Sequence, residues 1–295
     1  MTAAKMKSAG SRASRILLVG GTGTVGREIV TGLVARGLAP RVLSRDPEKA
    51  RSLLGPSVEL VRGDLMRPAS LTDALRGVDV AYLATAPTPE LAEQESNFID
   101  AARDARVRRL VKLSGYGTAQ ATDRIHRGHA LSEQRVMSSG LDYVILQPLM
   151  FMSNLLWESA SIKQGRIASA FGDGRMSFVD ERDVADVALV ALTSPGRVNA
   201  TWAFGGPQAL SYDDVAATFS RVLGRRVDHV RLDEDRFREV AAALPDFVIE
   251  AIVSSATMAQ AGKYEVPDRL IQERLGRRGR SLESWIEGHR SAFTG

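Results

Sequence analysis

The chain has no cysteine. That absence excludes disulfides, thiolate metal sites and cysteine nucleophiles, and it suits a reducing compartment. No apolar run approaches the roughly 20 residues that a membrane-spanning helix needs. The N-terminal stretch MTAAKMKSAGSRASR is basic and rich in small residues but has no apolar core, so it does not read as a signal peptide. Residues 1–14 are expected to form a disordered leader, and these features together favour the cytoplasm. An excess of one charge sign is also missing: Lys and Arg number 39 against 35 Asp and Glu, a formal net charge of +4. The arginines cluster at 103–109, 225–226 and 277–280 without aromatic interleaving, zinc spacing or a helix-turn-helix pattern, so a nucleic-acid role is disfavoured and solvated helix faces are expected. With 295 residues, the chain has room for one large α/β domain or two modest ones.

What is present is alternation. Apolar or β-branched runs at 15–20, 40–44, 57–64, 79–85, 109–115 and 142–148 read as strands. They alternate with helical patterns at 27–37, 69–77, 89–107 and 126–139. Continuous apolar strands separated by helices predict an α/β fold with a parallel sheet covered on both faces. The expected architecture is a Rossmann-type doubly wound sheet of strand order 3-2-1-4-5-6-7, with residues 200–206 as the last strand. Residues 15–150 would form the nucleotide-binding domain, with 180–206 returning to it. Residues 151–179 and 207–295 would form a smaller, mostly helical substrate-side subdomain.

The stretch VGGTGTVGREIV carries Gly20, Gly23 and Gly26 at G-x-x-G-x-x-G spacing. It follows a predicted strand and opens a predicted helix. In that setting glycines permit a tight turn, close approach of a pyrophosphate to the backbone, and helix–strand packing, with the phosphate at the helix N-terminus. The second strand ends in Ser44 and Arg45, followed by Asp46. An arginine there can bind a ribose 2′-phosphate bidentately, which favours NADP(H) over NAD(H). The other reading leaves Arg45 solvated and turns Asp46 to the ribose. Asp64 and Leu65 follow the third strand, where an adenine would lie; Ala84, Thr85 and Ala86 follow the fourth, beside the nicotinamide ribose.

The segments ILLVGGTGTVGREIV, VLSRDPEKA, VRGDLMRPASLTDALRGVDVAYLAT, LVKLSGYG, SGLDYVILQPLMFMSNL and FVDERDVADVA together resemble the NmrA-like branch of the atypical short-chain dehydrogenases. That branch includes NADPH quinone oxidoreductases, isoflavone-type reductases and non-catalytic cofactor sensors. The resemblance spans about residues 15–290. It implies that Gly20, Thr22, Gly23, Thr24, Val25 and Gly26 hold the pyrophosphate and Arg45, beside Ser44, the 2′-phosphate. It further implies that Pro148 and Met150 pass behind the nicotinamide, that Phe151 and Asn154 face the substrate, and that Asp183 is structural. Trp157 and Phe247 complete the expected apolar cavity, although Met, Phe and Trp near 149–157 suit ordinary core packing as well.

Typical short-chain dehydrogenases use a Tyr-x-x-x-Lys dyad, with the tyrosine as proton donor. Eleven residues before Gly140, where isoflavone-reductase-like relatives carry a lysine, stands His129; four residues earlier stands Ile125. The dyad is therefore missing. His129 could act as an acid or ribose contact, could be a bystander on a helix face, or could pair with His126 as a metal ligand, the least favoured reading. Ser114 is either a substrate contact or a strand-end cap. Tyr116, in a glycine-flanked loop, either faces the nicotinamide or covers it. Lys112, inside the strand, is expected to point away from the site. The function expected is hydride transfer from NADPH to a quinone or other conjugated small molecule. A non-catalytic NADP(H) sensor and a tailoring reductase of secondary metabolism stay open as alternatives. The partner expected is a small molecule, with no nucleic acid and no membrane; a homodimer is compatible.

Overall fold

Short β-branched runs with both faces apolar can be satisfied only inside a sheet flanked by helices, and here they are. The computed structural model describes residues 14–294 except 121, 195 and 197. Its strands are β1 (Ile16–Val19), β2 (Arg41–Ser44), β3 (Glu59–Arg62), β4 (Val80–Leu83), β5 (Arg109–Leu113), β6 (Asp142–Pro148), β7 (Arg166–Ser169), β8 (Ala200–Phe204) and β9 (Asp228–Arg231). Seven form one sheet in the order β3-β2-β1-β4-β5-β6-β8, all parallel. This is the doubly wound order expected, with β8 as the predicted seventh strand. The order reverses at β1, which lies between β2 and β4, and in such sheets the crevice beyond the strand ends at the reversal is where nucleotides bind.

The helices of the first half are α1 (Thr24–Ala35), α2 (Pro47–Leu54), α3 (Leu71–Leu75), α4 (Leu91–Asp104) and α5 (Arg124–Ser138). They are followed by α6 (Ser159–Lys163) and α7 (Glu181–Thr193). Helices α1 and α7 pack together on one face of the sheet, burying Ile29, Leu33, Val184 and Ala188 against Leu18, Val111 and Leu146. On the other face α3, α4 and α5 bury Leu71, Phe98, Ile99 and Val136 against Leu17, Ala81, Leu110 and Ile145. Helix α2 escaped the reading of the sequence. It is short and mostly exposed, with only Ala50 buried, and rests on local chemistry: Asp46 caps it and Pro47 supplies its first turn.

The remaining α-helices are α8 (Tyr212–Leu223), α9 (Glu234–Val240), α10 (Asp246–Gln260), α11 (Arg269–Leu275), α12 (Leu282–Gly288) and α13 (Arg290–Phe293). Residues 149–179 and most of 210–293 enclose a second core around Phe171, Phe178, Phe219 and Trp285. That part is not purely helical. Strands β7 and β9 pair in parallel as a separate two-stranded sheet, because Ile167 is drawn into the second core while the polar β9 shields its edge. Among the described residues, no helix is long and apolar enough to cross a membrane. The leader expected at 1–14 lies, apart from Ser14, outside the described residues.

The arginine clusters need correction. Arg103 does form exposed ion pairs with Asp100 and Asp104. Arg109, however, is buried and donates to the Ala191 and Ser194 carbonyls at the end of α7. Arg225 donates to the carbonyls of Ile162 and Phe293. Arg277 and Arg280 clamp the fully buried Asp183 and its neighbour Asp186, tying the C-terminal segment to the start of α7. These guanidiniums satisfy buried carbonyls and carboxylates that would otherwise be left unpaired, which a solvated face would not require.

Candidate active site

The crevice at the sheet reversal is built by the glycine turn. Gly20 has a φ of +79°, and a Cβ there would fall 2.4 Å from the carbonyl oxygen of Ala84 on the neighbouring strand end. At Gly26 a Cβ would lie 2.1 Å from the Gly20 carbonyl oxygen, so only glycine lets α1 approach β1 this closely. The Gly23 amide closes the turn on the Gly20 carbonyl at 3.0 Å. Helix α1 then starts at Thr24 with no side-chain cap and no acidic residue in its first turn. Three or four first-turn N–H groups have no intrahelical acceptor in any α-helix, so this end presents donors and positive dipole to the crevice. Those features fit a pyrophosphate held by Thr22, Gly23, Thr24 and Val25.

At the end of β2 the two readings of Arg45 and Asp46 separate. The Asp46 carboxylate accepts from the Lys49 amide at 3.1 Å as the cap of α2, and the Ser44 hydroxyl donates to the Asp46 carbonyl at 2.9 Å. Asp46 thus caps its own helix through Oδ1. Arg45 is exposed, and its guanidinium makes no ion pair or hydrogen bond among the described residues. Arg62, from the end of β3, donates to the Arg45 carbonyl at 2.9 Å and adds a second cation to the same corner. Beyond β3, Asp64 accepts from the Met66 amide at 3.0 Å, and the Leu65 carbonyl accepts from the Asn97 side chain at 2.9 Å.

Beyond β4 and β5 lies a layer of buried polar groups that the sequence reading did not assemble. Thr85 donates its hydroxyl to Glu95 of α4 at 3.0 Å. Glu95 and Lys112 are both fully buried and form an ion pair at 2.8 Å, at an angle that falls short of a hydrogen bond. Lys112 is turned toward Glu95 and His129. It lies on the α4–α5 face, the same face as Leu110, and its ammonium donates to the Leu113 carbonyl at 3.0 Å and sits 3.2 Å from Nδ1 of His129. The signal available was a lysine inside the otherwise apolar strand RLVKL, a charge that burial forces to find a partner.

Ser114 donates to the buried Glu133 at 2.5 Å, and Gln147 and Thr118 bond the same carboxylate at 2.8 and 3.3 Å. The serine hydroxyl is committed to Glu133 rather than left as a simple strand-end cap. Tyr116 is held by its amide on the Pro148 carbonyl at 3.1 Å, and its ring meets Tyr264 edge-on with centroids 6.0 Å apart. Gly117 is covered by α10 and the turn after it: a Cβ there would lie within van der Waals contact of Met258 and Tyr264.

The two histidines face different ways. His126 bonds Asp123 at 2.8 Å, within the cap of α5. Burial tends to raise the Asp123 carboxyl, but hydrogen bonds from the His126 ring and amide and from Ser254 outweigh it and hold the pKa at about 2. His129 is half-buried. Desolvation, then the Lys112 ammonium and His126, push its pKa well below the usual histidine value, with Asp123 opposing. At neutral pH it is therefore an uncharged imidazole.

Other expected residues are placed unevenly. Phe151 packs on the sheet core and bridges to Val179, and the Asn154 amide lies 3.1 Å from the Met150 sulfur, so Met150 and Asn154 act as a pair. Phe247 is half-buried near the start of α10. Trp157 is 67% exposed, which makes it a surface residue rather than cavity wall. Ala86 is exposed beyond β4.

A profile of the NAD(P)H-binding family matches residues 20–195, from the glycine turn to just past α7. The chain belongs to this family, in its NmrA-like atypical short-chain dehydrogenase branch. The chain is 34% identical over 282 residues to the NAD(P)H azoreductase of Xenophilus azovorans, an alignment covering 94% of this chain and 99% of that one. It is 37% identical over the same length to a (4-alkanoyl-5-oxo-2,5-dihydrofuran-3-yl)methyl phosphate reductase of Streptomyces griseus, again covering 94% and 99%. In fold it matches the NADPH-dependent quinone oxidoreductase of Escherichia coli in complex with NADPH, with a TM-score of 0.86 and 23% identity over 93% of this chain and 99% of that one. The protein is an NAD(P)H-dependent oxidoreductase.

Proposed function

We propose that the protein is an NADPH-dependent reductase of quinones or similarly conjugated, electron-poor small molecules. One observation carries the cofactor choice: Asp46 caps α2 while Arg45 is left exposed at the end of β2. A ribose 2′-OH would have to share the carboxylate that caps α2, whereas a 2′-phosphate finds a planar cation with no other partner among the described residues. Bound in the crevice, NADPH supplies a hydride from C4 of its nicotinamide. The N-terminus of α1 holds the pyrophosphate, and Arg45 holds the 2′-phosphate. Residues 151–179 and 207–293 form the substrate side, where Tyr116, Met150, Phe151 and Phe247 offer apolar surface to a flat acceptor and Asn154 a polar contact.

The acceptor class follows from what the site lacks and has. Residue 125 is isoleucine, so no tyrosine acid stands there, and the Ser114 proton is committed to Glu133. An acceptor that spreads the incoming charge over a conjugated system needs little proton transfer during the hydride step, so positioning can supply much of the rate. The similarity to an azoreductase and to a (4-alkanoyl-5-oxo-2,5-dihydrofuran-3-yl)methyl phosphate reductase supports the same class. Purified protein mixed with NADPH and a panel of quinones, azo dyes and unsaturated lactones should lose absorbance at the reduced-nicotinamide band with at least one acceptor. Consumption of NADPH with none of them would defeat the proposal.

A further inference from the structure

Lys112 is a buried charge with a job that the hydride step does not explain. Its ammonium reaches three acceptors: the Glu95 carboxylate at 2.8 Å, the Leu113 carbonyl at 3.0 Å and Nδ1 of His129 at 3.2 Å. Facing the Glu95 carboxylate, Lys112 is the ammonium of a buried ion pair, and a buried carboxylate without its cation is strongly disfavoured. A protonated amine has three donors and no acceptor. The contact with His129 therefore runs from Nζ–H to Nδ1, and the single proton of the neutral ring must sit on Nε2. That atom has no protein partner among the described residues and is not sealed from solvent.

We propose that Lys112 is a positioning residue that fixes His129 as a neutral imidazole with its proton on Nε2, so that His129 polarises the acceptor by donating a hydrogen bond without giving up a proton. This rests on the reductase reading above. The acceptor gains a hydride and becomes an anion, His129 keeps its proton throughout, and the anion is protonated afterwards by water. Thr85 completes the support by donating to the other Glu95 oxygen. The charged and titratable groups around the ring are Lys112 from β5, Glu95 from α4, and His126, Asp123 and Glu133 from α5 itself. From α10, Glu250 is turned to Arg124 at 3.6 Å. Among the nearest of these, the ammonium is the group that contacts the ring, and it opposes a second proton on it. An imidazole fixed in this way donates without change across the range in which a free histidine would titrate.

Two measurements on the full-length protein test this. Nitrogen NMR of the histidine rings, with His129 assigned by its loss in His129→Gln, should show a bare Nδ1 and a protonated Nε2 from about pH 5 to 8. A proton on Nδ1, or titration of His129 inside that window, would overturn the proposal. This arm needs no turnover, so failure to reduce any acceptor would sink the functional reading and leave the ring assignment standing. The second arm pairs Lys112→Met with Glu95→Gln, so that no lone charge stays buried. The rate of NADPH oxidation should fall by about 10-fold or more, with KM for NADPH little changed, and should acquire a pH inflection as His129 begins to titrate. A folded double variant whose rate falls with no inflection and no change in the His129 ring would mark Lys112 as packing alone and refute the assignment. If the double variant does not fold, the ring nitrogens of the native protein decide.

Discussion

Replacing Arg45 with alanine separates the two nucleotides, and the structure sets the size of the effect. A charge-assisted hydrogen bond contributes about 1.5–3 kcal/mol when well formed, and a bidentate guanidinium–phosphate contact belongs to this class. Arg45 is exposed, so water screens the contact to the lower end of that range or somewhat below it, roughly 1–2 kcal/mol. Converted at about 1.4 kcal/mol per decade, Arg45→Ala should raise Kd for NADPH by about 5- to 30-fold. NADH carries no 2′-phosphate and should bind the variant as it binds the parent. Arg62 stands beside the same corner and donates to the Arg45 carbonyl at 2.9 Å, so Arg62→Ala should act in the same direction but more weakly. Calorimetric titration with both nucleotides reads this directly, and raising the salt concentration should narrow the gap. Equal weakening of NADPH and NADH, or no weakening of either, would refute the 2′-phosphate role.

Two further outcomes follow from buried carboxylates. Asp183→Asn should destabilise the fold by about 3–5 kcal/mol, because Arg277 and Arg280 lose their buried partner, while kcat of the folded fraction stays at the parental value; denaturant melts with active-site titration test both halves. The Asp123 pKa of about 2 lies below the unfolded value near 3.9, so its contribution is fully present above pH 4 and is lost as pH falls toward 2. That contribution is on the order of 2 kcal/mol, and Asp123→Ala should flatten the stability profile over this acid range and fray the start of α5.

Much of the fold was legible because its signals are local. The glycine turn, the apolar runs of β1, β4 and β6, and the glycine stop after α3 (Gly77, φ +69°) each declare themselves within a few residues. Helix α2 was not legible by periodicity, since it buries one residue and depends on a cap and a proline. The site divides along the same line. The ends of β1 and β2 carry their chemistry in sequence order. The polar layer beyond β4 and β5 does not: Lys112 meets Glu95 from 17 residues upstream and His129 from 17 residues downstream, and only the packing of α4 and α5 on β5 brings them together. The arginines failed for the same reason, because Arg109 finds its carbonyls 82 and 85 residues away.

NADPH bound at the β1–α1 turn is proposed to pass a hydride to a conjugated acceptor. Single-turnover oxidation of NADPH deuterated at the transferring C4 position, with a quinone in excess, tests it most directly. The account predicts loss of the reduced-nicotinamide absorbance with a primary isotope effect, and the loss of that reaction in Gly26→Ala, where a Cβ would lie 2.1 Å from the Gly20 carbonyl oxygen. Tight NADPH binding with no oxidation by any conjugated acceptor would contradict it.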